Sequence, residues 1–342
     1  MFELQVVCAR CGEMLSRMVT RIIFCLLLVV GFVACVEDFV PPSELGDHIR
    51  VLSIRTEPPQ SYPGDEVDMQ ALVYVPDSAE SVADTLWLAC VPSVGEGAQT
   101  CLAVLLADVF RMAGGCEERC ATDPDPQSCM EFCVAEQFMD FLCDSSKDQK
   151  GCVVGTGVEL TYEVPETVRG SLGADDAKTV YLFLMATALE GGLSSCFQIW
   201  GDQVAQGNTV SPTEDCILSL KELSVLDESK DLAQNPTAEG LLLNDYSLAP
   251  PPEVTEVLLH GTDLESNELV FEGVFSLNGA DNGYISWFSD CGKLDSSKTF
   301  FENKVNKLKP TKTGKCSIYA VVRDDIAGQS WVHRDLDLKM PD

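Results

Sequence analysis

Cysteine is the residue through which this chain can do the most chemistry. There are sixteen, against only three histidines, His48, His260 and His333, each isolated in sequence. A thiol can be a nucleophile, a metal ligand, a redox partner or half of a disulfide, and spacing separates these roles. Cys8 and Cys11 form a C-x2-C pair whose second half is missing, so a zinc site is incomplete there. Cys116-Glu-Glu-Arg-Cys120 and Cys129-Met-Glu-Phe-Cys133 are different. Cysteines four apart lie on one helix face, one turn apart. The turn-rich stretch Thr122-Asp123-Pro124-Asp125-Pro126 between them would let two helices fold back as an antiparallel hairpin. The expected bonds are Cys116–Cys133 and Cys120–Cys129; the competing arrangement pairs these cysteines elsewhere. Cys143 and Cys152 would then clip a following loop. Cys291 and Cys316 are the only two cysteines near the C-terminus and form the natural pair there. Cys90–Cys101 and Cys196–Cys216 complete the candidate set, with the connectivity of the first domain left open.

One cysteine has another expected role. Arg17 and Arg21 precede an unbroken apolar run, Ile22 to Ala34, that ends in small residues just before Cys35. That order of parts is a secretory signal. Phe32-Val33-Ala34-Cys35 resembles a bacterial lipobox, which implies that the Cys35 thiol takes a diacylglycerol and becomes the new N-terminus. Two alternatives are an ordinary cleaved signal and an uncleaved anchor. A spanning helix needs about 20 apolar residues, and Ile22 to Val36 supplies 15 before Glu37 and Asp38. A cleaved signal fits that length better. Met14 or Met18 is a plausible start, which would leave Cys8 and Cys11 outside the protein. Cleavage before Cys35 discards three cysteines and lipidates a fourth. The remaining twelve are an even number, as disulfides in an exported chain require.

Charge narrows the partners. With 54 acidic residues against 23 basic, the net charge is −31. Such an excess repels nucleic-acid phosphates and anionic membranes, so no nucleic-acid partner is expected. The acids are spread along the chain as a solvated surface, not gathered in a tail. A 46% hydrophobic content excludes a disordered chain.

The elements that would position these cysteines are mainly strands. After a lipidated tether at 35–47, Ile49 to Thr56, Glu66 to Val75 and Thr85 to Val91 read as strands, with Trp87 on the third. A strand-borne Trp near a cysteine is common in immunoglobulin-like sandwiches. From about 97 to 153 the pattern becomes helical, with Leu102 to Met112 and an amphipathic Ser128 to Leu142. Strand signals return at Val158 to Val164, Thr179 to Leu189, Cys196 to Ile199 and Ile217 to Leu226. Residues 227–252, ending in Pro250-Pro251-Pro252, read as a stiff linker. A second domain, 253–342, has strands at Glu253 to Leu259, Leu269 to Leu277, Gly283 to Phe288, Cys316 to Arg323 and Ser330 to Leu338, with Trp287 on the third. The expected fold is mainly β: two immunoglobulin-like β-sandwich domains, 48–226 and 253–342, the first with a cysteine-rich helical insertion.

Three stretches resemble a large group of myxobacterial-type lipoproteins. They are Arg50-Val51-Leu52-Ser53-Ile54-Arg55-Thr56-Glu57-Pro58-Pro59 with Pro63-Gly64-Asp65 and Trp87-Leu88-Ala89-Cys90; Asn235-Pro236-Thr237; and Ala320 to Trp331. The last looks like the end of a polycystic-kidney-type or related immunoglobulin-like domain, with Asp325-Ile326-Ala327 where Gly-Arg-Gly is more usual. The resemblance implies sandwich architecture, a lipid-anchored envelope location, and a position for Asn235-Pro236-Thr237 at the domain junction. It implies no active site.

No phosphate loop, nucleophile elbow or His-Glu-x-x-His helix is present in the sequence. The acid pairs Asp324-Asp325 and Asp123 with Asp125 could offer oxygen ligands to calcium, but none completes an EF-hand loop. The reading is therefore a non-enzymatic envelope or surface lipoprotein with no catalytic residue, metal or cofactor. Its partners would be the membrane, through the lipid on Cys35, and a protein or polysaccharide of the envelope. Val36 is not an aspartate, which favours the outer membrane. The alternative is an exported hydrolase or redox protein whose site forms only in three dimensions.

Overall fold

The computed structural model describes residues 43–341 except 77–83, 94–95, 122–124, 126–128, 130–132, 134–140, 145–148, 172–177, 206–212 and 261–262. Residues 42–342 form one compact unit. The signal segment and Cys35 lie outside the described residues, as does most of the expected helix Ser128 to Leu142.

Among the described residues, eighteen strands build two sandwiches. The first pairs a sheet of β1 (Arg50–Glu57), β3 (Glu66–Tyr74) and β6 (Glu159–Glu163) with a sheet ordered β2 (Gln60–Ser61), β8 (Cys216–Val225), β7 (Lys178–Thr187), β4 (Asp84–Cys90), β5 (Gly151–Thr156). The second pairs β10 (Tyr246–Ser247), β9 (Thr237–Leu243), β12 (Leu269–Ser276), β16 (Val305–Pro310), β14 (Gly292–Leu294) with β11 (Val254–Leu258), β18 (Gln329–Lys339), β17 (Gly314–Asp324), β13 (Gly283–Ser289), β15 (Lys298–Phe300). The two follow one plan. In each, a short strand that has crossed from the first sheet runs parallel to the last strand of the sandwich, β2 along β8 and β11 along β18. In the second sandwich β9, β12, β16 and β14 face β13, β17 and β18, which matches the ABED and CFG sheets of an immunoglobulin-like sandwich.

Alternation along the strands explains the cores. In β3, Val67, Met69 and Ala71 point inward while Glu66 and Asp68 are exposed. They meet Trp87, Ala89, Leu182, Leu184 and Leu223 from the facing sheet. The second core gathers Leu241, Phe271, Trp287, Leu308, Ile318, Ala320 and Leu336. Trp87 and Trp287 occupy corresponding strands, both fully buried. Each indole N–H is satisfied: Trp87 Nε1 donates to Gly157 O, and Trp287 Nε1 to Thr299 Oγ1, both at 2.8 Å. Burying a Trp without such a partner would leave a costly orphan donor.

Strand β4 does not alternate. Its run Leu86-Trp87-Leu88-Ala89-Cys90 is buried throughout. Trp87 and Ala89 enter the sandwich core; Leu86, Leu88 and Cys90 face a second cluster on the outer side of the sheet. Helices α1 (Ala98–Cys120) and α2 (Gly192–Ala205) cover that outer side, through Cys101, Leu105, Cys196 and Trp200. The segment expected as a strand, Cys196 to Ile199, is thus helix. A four-residue segment, Cys-Phe-Gln-Ile, is too short for its period to separate strand from helix. The wider spacing Leu193, Cys196, Phe197, Trp200 is i, i+3, i+4, i+7, and it decides for helix.

The expected linker is also corrected. Residues 237–243 form β9, which pairs with β12 and sends Leu241 and Leu243 into the second core. The second sandwich therefore starts near Asn235, not at residue 253. Pro250-Pro251-Pro252 lies within it, where the chain leaves β9 and β10 and crosses to β11 in the other sheet. Pro58-Pro59 marks the same crossing between β1 and β2. Proline lacks the N–H a ladder requires, so it marks where a strand must leave its sheet. The true connection, 226–236, is held down by Leu226 N to Ser61 O at 2.8 Å and Ala233 N to Gln60 Oε1 at 3.1 Å. We predict that a 235–342 fragment gives a β circular dichroism spectrum and cooperative urea unfolding. A 253–342 fragment, deprived of β9 and of two core leucines contributing roughly 3–6 kcal/mol together, should lack a cooperative transition.

Candidate functional site

The cysteines predicted from sequence come together pairwise. The bonds are Cys90–Cys101, Cys116–Cys133, Cys120–Cys129, Cys143–Cys152, Cys196–Cys216 and Cys291–Cys316. Each has a job legible in the elements it joins. Cys90–Cys101 ties the end of β4 to the first turn of α1, and Cys196–Cys216 ties α2 to the start of β8. Cys116 and Cys120 sit one turn apart near the end of α1, and their bonds hold the following segment. Cys291 and Cys316 join β17 to the chain just after its neighbour β13, where it passes to β14 of the facing sheet. Asp290 lies beside that bond, but its carboxylate accepts from Ser317 N at 2.5 Å and pairs with Lys312 at 3.1 Å. With both sulfurs in a disulfide, this group offers no thiolate to a metal.

The histidines lie in three separate places. His48 faces Glu214 at 3.4 Å on the surface. The backbone N–H of His260 donates to Asn267 Oδ1 at 2.6 Å. His333 stacks on Tyr319, ring centroids 4.5 Å apart, with Nε2 2.8 Å from Asp335 Oδ1. Of the acid pairs, Asp123 lies outside the described residues and Asp125 is exposed. Asp324 and Asp325 diverge. Asp324 is buried, and its Oδ1 accepts from Gly328 N at 2.6 Å and Ile326 N at 3.0 Å, closing the β17–β18 turn; Asp325 faces solvent. The turn needs this closure because Ala327 takes the left-handed conformation, φ 69°.

The densest polar constellation is the junction between the two sandwiches, and sequence reasoning had not assembled it. Its origin is a β-bulge. The β1–β3 register slips between Val51 and Ser53, leaving Leu52 as an extra residue in β1. A bulged residue is left out of the ladder. Here the carbonyl of Leu52 accepts from Arg323 Nη2 at 2.7 Å, while Arg323 Nη1 holds Ser286 Oγ at 2.8 Å. The Leu52 side chain joins Leu45, Tyr74 and Tyr319 in a small apolar cluster, with Tyr74 edge-on to Tyr319. Ser53 Oγ donates to Gln329 Oε1 at 2.7 Å, and the Arg55 guanidinium lies over the Trp331 ring at 5.1 Å.

Asn235 completes the junction. Its Nδ2 donates to Thr56 O and to Glu57 Oε2, each at 2.7 Å, and its Oδ1 accepts from Gln329 N at 2.8 Å. One buried amide thereby bridges β1 and β18. Lys221 of β8 is buried and donates through Nζ to Ala327 O. Burial pushes its ammonium down to about 8, against which nearby Asp324 acts to retain the charge. The Asp324 carboxyl is in turn raised by burial. Residues 43–45, expected to be slack tether, dock on the second sandwich: Leu45 N donates to Ser289 O at 3.0 Å and Ser289 N to Ser43 O at 2.9 Å. Among the described residues, no helix is long and apolar enough to cross a membrane.

No protein-family model matches the chain, and no curated protein matches it. Solved structures give weak likenesses. The fibronectin(III)-like modules of Clostridium thermocellum CbhA align over 84% of this chain and 95% of theirs, at 8% identity and TM-score 0.24. The D0-D1 domain of intimin aligns over 84% and 98%, at 8% identity and TM-score 0.20. At such scores the likeness carries no argument, and the immunoglobulin-like arrangement rests on the strand order above.

Two predictions follow from these groups. Because the Lys221 pKa is lower folded than the 10.5 of a free lysine, the unfolded chain holds the extra proton between about pH 8 and 10.5. Stability then rises with pH across that window, by up to about 3 kcal/mol. Urea titrations should show this rise in the wild type and its loss in Lys221→Met. For the cysteines, titration of the denatured, unreduced protein should find none of these twelve thiols free. Replacing Cys116 and Cys120 by serine should open a proteolytic site between residues 116 and 143 while leaving both sandwich cores folded.

Proposed function

We propose that the chain is a non-enzymatic, lipid-anchored protein of the bacterial cell envelope. In this reading two immunoglobulin-like domains, the first carrying a cysteine-rich helical insertion, form a fixed structural or binding body. Cys35 holds the lipid and residues before it are removed. The outer membrane is the favoured residence, and the partner is a protein or polysaccharide of the envelope.

The observation that supports it most is the set of six disulfides behind a signal-like segment ending at Cys35. Disulfides persist in oxidising compartments such as the periplasm and the cell surface. The junction adds support for a structural role. Arg323, Asn235 and Lys221 spend their polar groups on joining the sandwiches. Mass spectrometry of the native protein should find a diacylglycerol-modified N-terminal Cys35, and Cys35→Ala should move the protein from the membrane to the soluble fraction. An unmodified Cys35, or a Cys35→Ala protein still sedimenting with membranes, would overturn the anchor.

A further inference from the structure

Strand β6 in the first sandwich and β16 in the second hold corresponding places, each beside the strand that precedes the Trp-bearing strand. Their outward faces carry opposite charge. Glu66, Asp68, Glu159 and Glu163 stand exposed on β3 and β6, while Val67, Met69 and Tyr162 fill the core. Glu66 lies directly across the ladder from Glu163. On β14 and β16 the exposed residues are Lys293, Lys307 and Lys309, while Leu294 and Leu308 point inward. Lys293 lies directly across from Lys309.

Like charges opposed across a ladder are unfavourable within a sheet, and the chain does not relieve them. Among the described residues, neither the four acids nor Lys293 and Lys309 make an ion pair; Lys307 pairs with Glu268 at 2.7 Å. Residues 293–315 hold seven lysines and two acids, a local charge of +5 in a chain of net −31; three of the seven, Lys293, Lys307 and Lys309, stand on this face, while Lys298 and Lys315 lie on β15 and β17 of the other sheet. Both faces end at an open sheet edge, β6 in one sandwich and β14 in the other.

We propose that the β14–β16 face of one chain docks on the β3–β6 face of a second copy. The occupant follows from complementarity: two pleated surfaces of opposite sign, with Glu66 and Asp68 on β3 and Lys307 and Lys309 on β16 about 7 Å apart along the strand, and with the opposed pairs Glu66/Glu163 and Lys293/Lys309 making no ion pair among the described residues. An anionic polymer would satisfy the lysines but leave the acidic face unused. The two faces belong to different sandwiches, so the contact is head-to-tail and leaves a free face at each end of the pair. Such contacts close into rings or grow as open chains. The proposal rests on strand placement and charge, and stands apart from the lipid on Cys35.

Size-exclusion chromatography with light scattering, on the purified protein in mild detergent, tests it at about 20 mM and about 500 mM salt, where screening lengths are roughly 20 Å and 4 Å. Oligomers are expected at low salt, with at least tenfold weaker association at high salt. K293E/K309E and E66K/E163K should each be monomeric, and an equimolar mixture should associate again, because the two native faces and the two reversed faces are each of opposite sign across the variants. Matching thermal unfolding curves check that both fold; a variant that does not is replaced by K293Q/K309Q or E66Q/E163Q, expected to weaken low-salt association at least tenfold. A wild type monomeric at low salt overturns the proposal, even if anionic phosphatidylglycerol vesicles retain it. So does association that charge reversal leaves unchanged, or a mixture that stays monomeric.

Discussion

A sheet with apolar side chains on both faces must be covered twice, and that need organises this molecule. Each sandwich has one such sheet. In the first, β4 and β7 fill the core with Trp87, Leu182 and Leu184, and present Leu88, Phe183 and Met185 on the far side. In the second, β13 and β17 do the same with Trp287 and Ile318 inside and Phe288 and Tyr319 outside. Exposing either second face would leave a contiguous apolar patch open to association. The covers differ. Helices α1 and α2 shield the first sheet, and the first sandwich itself shields the second.

The second cover has a polar cost that the first does not. Laying one sandwich on another buries strand groups that water would otherwise satisfy, so Leu52 O, Thr56 O and Gln329 N need partners. Arg323 and Asn235 supply them. Buried polar contacts of this kind add little net stability compared with a well-packed apolar surface, but they are intolerant of misplacement. They set a single register between the sandwiches, where Leu45, Leu52, Tyr74 and Tyr319 alone would allow sliding.

Much of this was legible in the sequence, for physical reasons that also explain the rest. Strands such as β3 and β18 alternate cleanly because one face enters a core and the other does not, and the sequence bounds match the observed ones to within a residue or two. The C-x3-C pairs are legible because helix geometry leaves few ways to use two cysteines one turn apart. The segment Cys196 to Ile199 reads wrongly as a strand because four residues, Cys-Phe-Gln-Ile, are too few to fix a period. The triple proline was misread because proline ends a strand equally well at a linker and at a crossing between sheets. The junction was beyond reach: Arg323 and Leu52 are 271 residues apart, and a bulge that frees one carbonyl leaves no compositional mark.

The disulfides bear on when the chain can take this shape. Cys90–Cys101 and Cys196–Cys216 fasten both helices over the outer face of the first sheet. In a reducing compartment those fasteners cannot form, and the apolar side of β4 and β7 loses its hold on its cover. The order of events follows: the sandwich core can form from the strands alone, but the outer face of its sheet is closed for good only once oxidation has fastened both helices over it.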